Sequence, residues 1–142
     1  MTIEAAMAVD WRGATAPTLV EFEQLAADAW ERLPQEFRGM CEGVVIRIDD
    51  FATDEVLKSL DIESPFDLMG LYQGVSLDRK SVMDLGREPD MVFLYRRAIL
   101  DYWAEGDETL GGLVTHVLVH EIGHHFGLSD ADMEALEAQA GS

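Results

Sequence analysis

HEIGHHFGLSD, residues 120–130, is the stretch that decides how this chain is read. His120 and His124 stand one helical turn apart. On an α-helix, positions i and i+4 lie above one another on one face, so two imidazoles so placed can converge on one ion. Glu121 falls at the edge of that face, where its carboxylate can take a proton from a water that the ion activates. Gly127 reads as a C-terminal cap in the left-handed conformation, a turn that folds the chain back and lets Asp130 approach the same ion. The spacing therefore expects one Zn²⁺ held by His120, His124 and Asp130, with a fourth position left to solvent and Glu121 as general base.

The residues upstream agree with a helix buried on most sides: Leu113, Val114, Val117, Leu118, Val119 and Ile122 make a nearly continuous apolar run. An unpartnered buried polar group costs about 1–3 kcal/mol, so a buried helix with two histidines and a glutamate must supply them with partners. A metal would do so. Asp130 also has a simpler reading, because Ser129 or Asp130 can cap the helical pattern ADMEALEAQA, with Asp132 in a capping-box position. Other residues compete for the third ligand position: His116, one turn before His120, and Glu134 or Glu137 on the last helix. Three histidines at i, i+4 and i+8 diverge along a straight helix, which places His116 behind or beside the ligands rather than among them. His125 falls on a different face in the last turn, where an imidazolium gains from the helix dipole, and reads as a structural or rim residue.

The rest of the chain sets bounds. Its 142 residues, 48% of them hydrophobic, suit one domain with a modest core. A net charge of −18, from 28 acidic against 10 basic residues, argues against nucleic acid and anionic membranes as partners; it reads first as a solvated, self-repelling surface that aids solubility, and otherwise favours basic or neutral substrates. The lone Cys41 has no CxxC partner and cannot close an internal disulfide. The N-terminus shows no basic segment followed by an apolar core, and no apolar run approaches the length of a membrane span. These features together lead to the expectation of a cytoplasmic protein.

Residues 1–17 lack periodicity and read as a disordered tail, leaving 18–142 as the single domain. Phe22, Leu25, Ala26, Ala29, Trp30 and Leu33 recur at helical steps up to Pro34, and residues 34–40 suggest a further short turn of helix. Val44 to Ile48 reads as a half-buried strand followed by an acidic loop. In LMGLYQGVSL, residues 68–77, Gly70 and Gly74 flank Leu71 and Tyr72, as in a strand or hairpin that another backbone approaches closely or, equally, in an ordinary turn. MVFLY, residues 91–95, is a third strand candidate, running through Arg96 and Arg97 into an apolar segment ending at Trp103. Asp107 or Thr109 can cap the motif helix. The order of helix, short strands and helices is α+β.

These residues carry a resemblance. The first helix ending in LPQEF, the segment LMGLYQGVSL, the strand-like PDMVFLYRRAIL and above all VTHVLVHEIGHHFGLSD make the chain similar, over residues 18–139, to the small single-domain bacterial zincin-like metallopeptidases. The resemblance implies a minimal zincin fold: a small sheet of three or four strands packed on the metal-binding helix, with the third ligand at Asp130. It implies a peptide or protein substrate. The HExxHxxGxxD form also resembles the pattern of larger zinc peptidases, but only twelve residues follow Asp130 in this sequence, too few for the C-terminal subdomain that walls their clefts. Met133 lies too near the motif to be equated with their methionine turn. Substrate grip is therefore expected at the sheet edge formed by Gly70, Leu71, Tyr72 and Gly74, where an extended peptide can add as a further strand.

Amide hydrolysis by metal-activated water is the reading these residues support. Tyr72, Tyr95, His116 and His125 are the candidate donors to the developing oxyanion. The alternative is a metal-binding regulatory or interaction module with little turnover. The sequence gives no oligomeric state.

Overall fold

The protein's fold is described by a computed structural model covering residues 10–74 and 89–141. Thr18 opens the first helix, α1 (Leu19–Arg32), with a reciprocal cap: its hydroxyl accepts from the Glu21 N–H at 3.2 Å, and its own N–H donates to the Glu21 carboxylate at 2.8 Å. The face that repeats at helical spacing, Phe22, Ala26 and Ala29, is buried. Pro34 cannot continue α1 and instead starts α2 (Gln35–Met40), which buries Phe37 and delivers Cys41 to the core. Burial alone pushes the Cys41 thiol up to about 11, which leaves it protonated and inert.

Three strands form one mixed sheet in the order β1-β3-β2. β1 (Val45–Asp49) runs parallel to β3 (Met91–Tyr95), and β2 (Gly70–Gln73) runs antiparallel to it. The central strand is buried on both sides, as its unbroken run of apolar residues requires. Val92 and Leu94 face the main core with α1, and Phe93 and Tyr95 face a smaller cluster with Ala52, Leu57 and Ala98.

Two helices lie where the sequence suggested a loop and an apolar segment. Within the acidic stretch, α3 (Asp54–Ser59) is nucleated by Thr53, whose hydroxyl accepts from the Val56 N–H, with Asp54 and Glu55 favourably placed in its first turn. β3 passes without a loop into α4 (Arg96–Glu105), with Tyr95 serving as both last strand residue and helix cap. Arg96 is tied to the Asp50 carboxylate at 2.8 Å and to the Pro17 carbonyl at 2.6 Å, so residues 10–17, although expected in the tail, include a placed 3-10 turn at Trp11–Gly13 and an anchored end. Residues 1–9 of that tail and 75–77 of the LMGLYQGVSL segment lie outside the described residues.

The motif helix, α5 (Leu110–His125), is capped by Thr109 and packs against α1, α4, β2, β3 and the last helix, α6 (Asp130–Ala140). Leu113, Val114, Leu118, Val119 and Ile122 are almost wholly excluded from solvent. Gly127 has φ of +74°, the left-handed conformation that reverses the chain between α5 and α6. α6 returns along α5 and seats Met133, fully buried, against the bare backbone of Gly123. Met133→Ala should therefore cost about 2–5 kcal/mol in urea denaturation, and a loss below 1 kcal/mol would show that this contact does not hold α6 in place.

Candidate metal and peptidase site

The apolar residues of α5 claim most of its surface, so its polar side chains share what remains. His116, His120 and His124 rise along that stripe, with Glu121 at its border toward β2. The rings of His120 and His124 lie 5.6 Å apart between centroids and nearly perpendicular, at 84°. His124 is exposed, and His120 is half-buried.

Glu121 is the carboxylate on the sheet side of this stripe. The Tyr95 N–H donates to the Met69 carbonyl, which fixes the antiparallel alternation so that the Tyr72 N–H turns away from β3. That N–H donates to the Glu121 carboxylate. Burial raises the Glu121 carboxyl above its ordinary range, while His124 and the Tyr72 N–H oppose part of the shift. A carboxylate so destabilised in its charged form is a stronger base than one in water, the property a general base needs.

β2 approaches α5 this closely because residue 70 has no side chain. A Cβ on Gly70 would stand 2.7 Å from Val117 Cγ1 and 3.1 Å from both Glu121 Cγ and the Phe93 carbonyl oxygen. Of the expected edge residues, Gly70 and Tyr72 face α5, Leu71 packs on the opposite side of the sheet, and Gly74 closes the strand beside Tyr72 and His125. Tyr72 joins several parts of the site. Its ring stacks on His125 at 3.8 Å and 16°, and its hydroxyl donates to Asp90 at 2.9 Å.

The metal-competent donors gathered most tightly among the described residues are His116, His120 and Glu137, whose ligand atoms all lie within 4.8 Å of one another. His116 Nδ1 lies 2.8 Å from Glu137 Oε1, and His120 Nε2 lies 3.2 Å from Oε2. His124 and Asp130 stand outside this group. Asp130 is the first residue of α6 and is exposed. Ser129 is the cap, in a reciprocal pair with Asp132, so the Asp130 carboxylate is not consumed by capping and has no hydrogen-bond partner among the described residues. The donor chemistry along α5, imidazole nitrogens with a carboxylate within reach, suits a borderline divalent ion such as zinc.

The family profile for zincin-like metallopeptidases matches residues 41–140, and the chain belongs to that family. The matched span runs from just before β1 through α6 and so includes the sheet, the motif helix and Glu137. The family implies a divalent metal. No match was found among curated proteins. No helix of the described residues is long and apolar enough to cross a membrane.

The packing at residue 70 gives a direct test. Gly70→Ala should lower stability by about 1–3 kcal/mol through overpacking, whereas Gly39→Ala, where a Cβ would meet nothing within 4 Å, should raise it by about 0.4–1 kcal/mol. Equal effects in urea denaturation would mean that β2 does not press on α5.

Proposed function

We propose that this chain is a zinc-dependent peptidase that hydrolyses peptide bonds with Glu121 as general base. The observation that carries the reading is the half-buried Glu121 carboxylate, raised in basicity by burial and set beside His124 on the motif helix. His120, His124 and Asp130 are assigned to hold the ion on the spacing of the HExxHxxGxxD motif. A zinc ion bound by such a set supplies Lewis acidity, which makes water acidic near neutral pH and polarises a carbonyl.

The chain's own groups do the remainder. Glu121 takes a proton from the attacking water and delivers it to the nitrogen of the leaving amine. Its present partner, the Tyr72 N–H, lies on the edge of β2 that pairs with no other strand among the described residues, so a substrate added along β2 would exchange with Glu121 for that donor. Such a strand would run beside the histidine stripe. Of the candidate oxyanion donors, the Tyr72 hydroxyl is engaged by Asp90, Tyr95 is buried and pushed up to about 12 chiefly by that burial, and His116 is held by Glu137. His125 is exposed and its ring nitrogens have no hydrogen-bond partner among the described residues, which favours it as the donor. The strongly acidic surface favours basic or neutral peptides.

Zinc-loaded protein should cleave unstructured peptides, and a chelator should abolish the cleavage. Glu121→Gln should keep bound metal and lose activity by about 10²-fold or more, and His124→Ala should lose activity as well. Wild-type turnover by Glu121→Gln would refute the assignment. Metal binding with no cleavage of any peptide by the wild-type chain would instead favour a metal-dependent binding module.

A further inference from the structure

We propose that His116, His120 and Glu137 form a second divalent-metal position, one helical turn upstream of the HExxH pair, which shares His120 with it and so competes with it. The inference rests on the peptidase reading only for the role of His120 in the downstream set.

The three residues come from two helices that Met133 locks together. His116 and His120 are an i, i+4 pair on α5, and their rings lie 4.0 Å apart and tilted by 34°. Glu137 projects from α6 so that each of its carboxylate oxygens meets a different ring, at 2.8 Å and 3.2 Å. At metal–ligand distances of about 2.0–2.2 Å, tetrahedral donors stand roughly 3.3–3.5 Å apart, so an ion replacing the two hydrogen-bonded protons would need the shorter contact to widen by roughly 0.5–0.7 Å and the longer by roughly 0.1–0.3 Å. The carboxylate offers one negative charge to two neutral imidazoles, the donor set of many open zinc sites. Access is present as well: His116 is 47% exposed, while Glu137 and His120 are about a quarter exposed and held in place by packing.

The shared residue gives the position its consequence. One ring nitrogen of His120 can serve one ion at a time, so an ion held with His116 and Glu137 withdraws that nitrogen from His124 and Asp130. The upstream position is thus a non-productive seat for the same class of ion, Zn²⁺ or Co²⁺, and metal in one excludes metal from the other. The competing account is a plain histidine–carboxylate hydrogen-bond pair that staples α5 to α6.

Co²⁺ titration of the full chain, followed by visible absorption after removal of bound metal, separates the two. The variant His124→Ala with Asp130→Ala should still bind one Co²⁺. Adding His116→Ala and Glu137→Gln should weaken that binding by about tenfold or more. Absence of Co²⁺ binding in the first variant with native circular dichroism, or binding indifferent to the second pair, would overturn the proposal. In the variant His124→Ala with Asp130→Ala, the His116 ring resonances should also shift on Zn²⁺ addition, and unmoved resonances at saturating Zn²⁺ would equally overturn it. Failure of the peptidase reading would appear differently, as undiminished turnover by Glu121→Gln, and would leave the Co²⁺ result standing.

Discussion

Burial of α5 on nearly all sides is the constraint from which the rest of this structure follows. A helix wedged between a sheet and three other helices has one narrow polar stripe, and four of its side chains, His116, His120, Glu121 and His124, must share it. Their spacing is set by the helix repeat and their direction by the apolar residues that fix its rotation. Ordering these groups needs no dedicated loop. The same burial that stabilises the domain aims its ionisable groups along a common line, and it raises the basicity of Glu121 where that line borders the sheet.

The second element is the close approach of β2. Because Gly70 presents no Cβ, the edge strand lies directly on Val117 and Glu121, and its alternation turns the Tyr72 N–H toward the Glu121 carboxylate. Strand backbone and buried carboxylate thus meet at the same place, with Tyr72 fixed by Asp90 through its hydroxyl and by His125 through its ring. In the proposed peptidase reading, a peptide added to this edge would lie beside the histidines, so alignment and chemistry would meet at one contact between strand and helix.

Much of this was legible from residue patterns alone. The 3.6-residue rhythm of Phe22 to Leu33, the MVFLY strand and the apolar run before the motif gave α1, β3 and α5, because each pattern is long or strongly periodic. Gly127 was readable as a left-handed turn for the steric reason that only glycine enters that region without cost. α3 was hidden in an acidic stretch whose signals, Thr53 followed by Asp54 and Glu55, are those of a cap rather than of a periodic face. α4 was hidden because no turn residue separates it from β3. The meeting of Glu137 with His116 and His120 lay beyond sequence reasoning for a different reason. It depends on the angle at which α6 returns along α5, which is set by packing of Met133 on Gly123 and has no local signature. Among the rivals considered for the third ligand, the sequence could name Glu137 but could not place it.

The central claim is that the polar stripe of α5 grips a divalent ion through His120. Anomalous diffraction at the zinc edge, from crystals grown with zinc, tests this most directly. The account predicts a strong peak about 2.0–2.2 Å from a ring nitrogen of His120, on the open face of α5. Fully zinc-saturated crystals with no anomalous peak along His116, His120 and His124 would contradict it.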